Sequence, residues 1–228
     1  MSPAASTSAR SRWILHFTHI DNLASISAEG RLACDVSARA GLMRTEVGDP
    51  AIKDSRSRRR IPIGPRGYVG DYVPFYFAPR SPMMYRIACD HRDSIAGRYA
   101  DGDRPLVYLA ATVGAVVDTG AAWVATDGNA ANATSAFTTA LDDLDSMVDW
   151  PLMQAERWNS TVDDPDRQRR RMAEFLVHEE VPLAVFHQVA AYSSAYAAKA
   201  QATLGDHQLA ESIAVRPTWY YGFQRTGG

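Results

Sequence analysis

The sequence predicts a single α+β domain with six to eight short strands. Three observations carry that expectation. Short runs rich in β-branched and aromatic residues recur along the chain, interspersed with helical patterns. No internal repeat, interdomain linker or low-complexity block divides the 228 residues. A chain of this length, 46% apolar and 22% charged, suffices for one sizeable core. The domain is expected over residues 13–223. Residues 1–12, Ser/Ala-rich and without an apolar h-region, are expected to be a disordered tail and not a secretory signal, and residues 224–228 a loose tail.

In chain order, Trp13–Thr18 reads as a first strand. Asp21 looks like the N-cap of a helix from Asn22 to Glu29 that ends at Gly30. Residues 35–70 read as a long polar loop containing the basic run Ile52–Arg60. Asp71–Phe77 is an aromatic strand, in which Pro74 predicts an edge or a bulge. Ser81 followed by Pro82 is a helix start. A polar loop over Asp90–Arg104 leads to a central strand at Pro105–Ala110, with Thr112–Asp118 a short helix or turn. Ala122–Thr126 is a short strand before the turn-rich Asp127–Asn132. Helical patterns follow at Ser135–Leu144 and Trp150–Trp158. Glu174 then opens the apolar run Phe175-Leu176-Val177, so it is expected at the mouth of a buried strand. Val181–Phe186 reads as a short helix or turn, Val189–Tyr192 as a strand, Ser193–Leu204 as a helix and Ser212–Val215 as a last strand.

Composition narrows the function classes. A net charge of −2 argues against bulk electrostatic binding to duplex DNA. Of the 24 basic residues, only Lys53 and Lys199 are lysines. Arginine suits phosphates and stacks on bases, although genomic composition bias explains the same excess. Cys34 and Cys89 cannot build a disulfide framework, and a reducing, cytoplasmic location is expected. No apolar run approaches a membrane span, so no membrane partner is expected. His16 and His19 lack an H-E-x-x-H context and a third ligand, so no metal is expected.

No G-x-S-x-G elbow, P-loop or G-x-G-x-x-G is present. There remain a strand histidine, a basic loop, an aromatic strand and a strand-mouth glutamate. The set suits chemistry at the anomeric carbon of NAD. A carboxylate can stabilise positive charge developing on the ribose, a guanidinium can hold the pyrophosphate, and aromatic faces can stack the nicotinamide. A satisfied ion pair within an ordinary core fits each residue separately.

Three blocks carry a resemblance: His16-Phe17-Thr18-His19-Ile20-Asp21-Asn22-Leu23; Asp71-Tyr72-Val73-Pro74-Phe75-Tyr76-Phe77 with Pro79-Arg80-Ser81-Pro82-Met83; and Ala173-Glu174-Phe175-Leu176-Val177. They occur in the order seen in the DarT family, the DNA ADP-ribosyltransferase toxins of toxin–antitoxin systems, which the chain resembles from about Trp13 to Tyr221. The resemblance implies an ADP-ribosyltransferase fold, a split mixed β core with NAD in its cleft. It implies transfer of ADP-ribose to a base in single-stranded DNA, and a macrodomain antitoxin of the DarG type as partner. The implied catalytic residues are Glu174 and Arg56, with Arg58, Arg59 and Arg60 as other registers for the arginine. His16, Thr18, Asn22, Tyr76 and Met83 are implied on the NAD side. The segments Thr126–Ala130 and Asp163–Gln168 are similar to the thymidine-modifying branch, which makes thymidine N3 the expected acceptor and guanosine the alternative. Trp123, Thr126, Asn129, Arg167, Arg169, Arg170 and Arg171 are the expected DNA contacts, with Trp158 as a second stacking platform. Transfer to RNA or protein, plain NAD hydrolysis, and a non-catalytic single-strand binding module are the competing readings.

Overall fold

The computed structural model describes residues 9–38, 41 and 43–226. Among them, β1 (Trp13–His19), β3 (Tyr72–Tyr76), β4 (Leu106–Thr112), β5 (Trp123–Thr126), β6 (Phe137–Thr138), β7 (Glu174–His178), β9 (Gln188–Ala191) and β10 (Ile213–Val215) form one sheet in the order β10-β9-β4-β1-β3-β7-β5-β6. A separate two-stranded sheet pairs β2 (Arg31–Ala33) with β8 (Glu180–Pro182). Only β9 and β10 run parallel, so the large sheet is mixed. The helices are α1 (Leu23–Glu29), α2 (Asp35–Ala38), α3 (Pro50–Arg58), α4 (Pro82–Arg92), α5 (Val113–Val117), α6 (Leu144–Met147), α7 (Trp150–Gln154), α8 (Arg167–Arg170) and α9 (Ser194–Leu204).

The large sheet is nearly two sheets. β1 pairs with β4 along its whole length, but with β3 only through Leu15 and Tyr76. Beyond that pair β1 and β3 part, and the gap between them becomes the cleft. Pro74 fits here for a physical reason. Its carbonyl faces β1, where no strand ladder runs, so the missing N–H leaves no ladder bond unmade. The expected edge character is therefore met inside a sheet.

Alternation puts both faces of β4 in apolar surroundings. Val107, Leu109 and Ala111 enter one core cluster, and Leu106, Tyr108 and Ala110 the other. An unbroken apolar run is what a strand covered on both faces requires. At the start of α4, Ser81 Oγ accepts from the Met84 N–H at 3.3 Å and Pro82 follows at the first turn, as expected. Gly30, at φ +66°, ends α1.

Several local expectations are corrected. Asp21 does not cap α1; a 3-10 turn over Ile20–Asn22 precedes that helix, and Asp21 pairs with Lys199. Residues 35–70 are not a plain loop, since α3 begins there behind Asp49, whose side chain accepts from the Ala51 N–H. Ser135–Leu144 is helical only from Leu141, in a 3-10 turn that leads into α6: Phe137 and Thr138 pair with β5, so a cross-strand partner overrides the local pattern. α7 stops at Gln154, and the extended chain beyond it carries Trp158 to the hydroxyl of Tyr221. Val181 is a strand residue and the 3-10 turn starts only at Leu183. Among the described residues, ten strands replace the expected six to eight. Of the two expected tails, residues 1–8 and 227–228 lie outside the described residues. Ala9 is buried, and the Arg12 carbonyl accepts from the Val113 N–H at 2.9 Å. Thr226 bonds the Arg92 carbonyl.

Candidate active site

A cavity of about 460 Å³ occupies the gap between β1 and β3. His16 and Thr18 enter it from β1, Tyr76 from β3, Lys53 and Arg56 from α3, and Met83 from α4.

At its inner end, two residues 118 positions apart meet. Glu174 is fully buried, and both its oxygens accept from Arg56 Nη1, at 3.1 and 3.0 Å. Oε1 also accepts from the Ala130 N–H at 3.0 Å. The Glu174 N–H donates to Thr126 Oγ1 at 3.1 Å, and that hydroxyl donates to the Gly128 carbonyl at 2.6 Å. Strand and loop thus fix the carboxylate from two sides. Arg56, not Glu174, lines the cavity, and its Nη2 is buried without a hydrogen-bond partner. A buried guanidinium N–H without a partner, on a residue that lines a cavity, suits an acceptor on a bound molecule. Burial works against the charge on Arg56, but the Glu174 carboxylate, together with Tyr76 and Asp35, outweighs it and raises the guanidinium above its ordinary value.

Sheet register places Tyr76 directly opposite Glu174 on the same face. Burial, and then the Glu174 charge, push its phenol well above the ordinary tyrosine value, so it stays neutral. Its ring stacks at 12° to that of Phe17, and its hydroxyl lies 3.9 Å from Met83 Sδ. Across the gap, His16 Nδ1 lies 2.8 Å from the Pro74 carbonyl. A carbonyl only accepts, so Nδ1 carries the proton and Nε2 is the free acceptor. Burial lowers the imidazole below 6.5, although the Pro74 bond opposes that, and His16 is neutral.

Asn22 is buried and all its polar atoms are used within the protein. Its Oδ1 accepts from the N–H groups of Arg44 and Thr45, both at 2.9 Å. Its Nδ2 donates to Thr18 Oγ1 at 3.0 Å and to the Thr45 carbonyl at 2.9 Å. Both residues line the cavity, and Asn22, bonded to Thr18, shapes its wall by holding residues 44 and 45.

The expected DNA contacts divide. Asn129 lines the cavity, and Thr126 sits behind Glu174. Trp123 does not line the cavity. It pairs with Val177 and stacks on Phe175 at 4.9 Å, on the sheet face opposite Glu174. Arg169 is held by Asp166 at 2.8 Å and Asp127 at 3.1 Å, and Arg170 by Asp164 at 2.7 Å and Asp149 at 3.0 Å. Arg171 is buried, with its guanidinium on the carbonyls of Leu152, Met153 and Pro79. Arg167 donates to the Arg157 carbonyl. The stripe is thus largely spent inside the protein. Among the other registers for the site arginine, Arg58 pairs with Asp54, Arg59 reaches the carbonyls of Asn132 and Ala133, and Arg60 lies over the Tyr68 ring. None of them is bonded to Glu174.

Lys53, Gln168 and Met172 line the cavity without having been expected there. Helical spacing offered a signal for each. Lys53 lies three before Arg56, and Gln168 and Met172 are the uncharged pair, four apart, in an arginine run. Lys53 is buried and bonds Asp35 at 2.9 Å. Among the described residues, no group of three or more potential metal ligands is found.

The model of the family described as ssDNA thymidine ADP-ribosyltransferase, DarT, matches residues 15–221. A DNA ADP-ribosyl transferase of Mycobacterium tuberculosis is 35% identical over 213 residues, covering 92% of this chain and 89% of its own length. Another, from Thermus sp. (strain 2.9), is 33% identical over 210 residues, with 91% and 95% covered. The solved structure of Thermus sp. 2.9 DarT in complex with ADP-ribosylated ssDNA matches with a TM-score of 0.82 at 32% identity, covering 92% of this chain and 97% of that one. The same protein in complex with NAD+ matches at 0.76 and 31% identity, covering 92% and 98%. The mixed sheet flanked by helices is the fold these structures share with the chain. By fold and by sequence along nearly its whole length, the chain belongs to the DarT family of DNA ADP-ribosyltransferases.

Proposed function

We propose that the protein transfers ADP-ribose from NAD to N3 of thymidine in single-stranded DNA and releases nicotinamide. One observation carries the reading: a fully buried carboxylate, gripped by an arginine with an unpaired N–H, at the inner end of the cleft. The family's description, which names thymidine, supports the choice of base.

NAD supplies an activated glycosidic bond between nicotinamide and ribose, and the other roles fall to residues of this chain. Arg56 Nη2 is the free donor for an oxygen of the bound molecule. His16 Nε2, with its tautomer fixed by Pro74, accepts from a ribose hydroxyl. The ring of Tyr76, beside Met83, offers an apolar face to the nicotinamide. The imide nitrogen of thymine is a poor nucleophile until it loses its proton. Glu174 takes that proton as the N3–ribose bond forms and the nicotinamide–ribose bond breaks. Arg56 steadies the charge that shifts onto the base and the carboxylate. The acceptor base must be free of a duplex stack, which favours a single strand.

Family membership supports a toxin role, with a macrodomain antitoxin of the DarG type as the partner that removes the mark, and a cytoplasmic site of action. No helix among the described residues is long and apolar enough to cross a membrane.

The test is a transfer assay with NAD and short single-stranded oligonucleotides that each lack one base, read by mass. Gain of one ADP-ribose only where thymine is present, lost in Glu174→Ala, is the expected result. Gain that follows guanine would reverse the branch. Free ADP-ribose with no modified DNA would replace transfer by hydrolysis.

A further inference from the structure

The arginines of α8 were the expected track for the DNA backbone, and the structure spends them on carboxylates and carbonyls. Uncompensated positive charge lies elsewhere, at the end of α3 and in the segment between it and β3. Arg58, Arg60 and Arg66 are exposed there. Arg60 and Arg66 have no carboxylate partner among the described residues. The pair of Arg58 with Asp54 is exposed on both sides, at 78% and 56%, and is screened accordingly. Arg59 reaches only the carbonyls of Asn132 and Ala133, at 3.4 and 3.5 Å, and its Nε is buried without a partner. The nearby Asp71 is committed to the Tyr68 N–H at 2.7 Å.

This segment is held, not loose. Ile61 and Val69 are buried in one apolar cluster with Val124 and Leu176. The Ile61 N–H donates to the Gly67 carbonyl and the Val69 N–H to the Arg59 carbonyl, at 3.0 and 2.9 Å. The Tyr72 hydroxyl donates to the Arg66 carbonyl at 2.6 Å. Gly64, at φ +66°, lies so close to β5 that a Cβ there would stand 3.0 Å from Val124 Cγ1. Charges on an ordered loop are presented with little ordering cost. The segment also joins the site at two points. Arg56 lines the cavity two residues before Arg58. The loop whose Asn132 and Ala133 carbonyls meet Arg59 supplies the Ala130 N–H to Glu174.

We infer that the phosphates of the single-stranded substrate run along the Arg58–Arg66 ridge as the strand leaves the cleft, and not along Arg167–Arg171. The inference rests on the DNA reading above and adds a surface to it. A few unpaired arginines on a chain of net charge −2 hold individual phosphates without a general affinity for nucleic acid.

The experiment measures binding of a labelled oligothymidine to the full chain across a salt series, together with the KM for oligonucleotide and for NAD. The Arg60→Ala/Arg66→Ala variant is expected to flatten the plot of log affinity against log salt by about 1.4, since each phosphate left unneutralised on a single strand removes about 0.7. Its oligonucleotide KM rises roughly tenfold at low salt while its NAD KM holds. Arg216→Ala, which removes an equal charge after β10 at the other end of the sheet, leaves the slope and both KM values as they were. A double variant with the parent's slope and oligonucleotide KM overturns the ridge, as does an equal loss in Arg216→Ala. A full loss produced by Arg169→Ala/Arg170→Ala alone would return the track to α8. Failure of the DNA reading itself looks different, because the unaltered protein would then neither bind nor modify any oligonucleotide.

Discussion

Arg56 Nη1 sits 3.0 Å from Glu174 Oε2 and 3.1 Å from Oε1, so one nitrogen spans both oxygens while Nη2 remains unpaired. Arg56 lines the cavity, so its unpaired N–H is available to an acceptor on a bound molecule. Glu174→Gln keeps the shape, and its amide oxygen can still accept from Ala130 and Arg56, but it takes no proton. Transfer to a thymine-containing oligonucleotide is expected to fall by about 10²- to 10⁴-fold, the range for a lost general base. Single-turnover rates with saturating NAD check it, and an unchanged rate would remove Glu174 from proton transfer.

The same pair sets a stability prediction. Arg56→Met leaves a fully buried carboxylate with one N–H donor, that of Ala130. Breaking such a pair from one side costs about 3 kcal/mol, because the remaining charge is uncompensated. Replacing both residues, as Arg56→Met with Glu174→Leu, removes the charge together with its partner and should recover most of that loss. Urea unfolding of the three proteins measures both steps. Equal destabilisation of the single and double variants would mean that packing, not charge, dominates the site.

His16 gives a pH dependence with a definite sign. Its folded-state pKa is lowered from 6.5, by burial first. Below pH 6.5 the unfolded chain therefore binds more protons than the folded one. The contribution is fully present above 6.5 and is lost as the pH falls from there through the folded value. His19 is lowered in the same direction, also by burial, so a variant is needed to separate them. His16→Asn keeps an amide donor for Pro74 and does not titrate. Between pH 7 and 5 its stability should decline less steeply than the parent's, as melting temperatures at half-unit steps would show. Parallel curves would mean that His16 titrates as it does in the unfolded chain.

What the sequence made legible follows from the range of each interaction. Glu174 could be placed because a charge opening an apolar run is a local pattern, and β7 begins there. Its partner could not be chosen by pattern, since Arg56 comes from a distant helix and three more arginines follow within four residues. The α8 stripe is hard to read for the same reason. Its charge is visible locally, but its compensation is not: two of its neutralising partners, Asp127 and Asp149, come from loops far from the stripe in sequence. Trp123 was decidable in principle. Once β5 is set against β7, period two puts Trp123 on the face of Phe175 and away from Glu174. Phe137 and Thr138 were not, because only the β5 edge makes them a strand.

Asn22 offers the sharpest separation between touching a ligand and holding the wall that touches it. Its two acceptor bonds and two donor bonds all end on Thr18, Arg44 and Thr45, which leaves nothing for NAD. Asn22→Asp keeps the oxygen that accepts from Arg44 and Thr45 but loses both donor bonds and buries a charge beside the Thr45 carbonyl. Residues 44 and 45 should then loosen. Their amides should exchange with deuterium roughly tenfold faster or more, which corresponds to about 1.4 kcal/mol of lost local protection. The NAD KM should rise while turnover at saturating NAD changes little, since no group at the reacting atoms is altered. Asn22→Ser, short and uncharged, should show the same loosening without the added charge. If exchange at 44 and 45 stays at the parent rate while the NAD KM rises, Asn22 touches the co-substrate and its bonds in the free protein are rearranged on binding. Faster exchange and a higher KM together assign it to the wall, one step removed from the chemistry at Glu174.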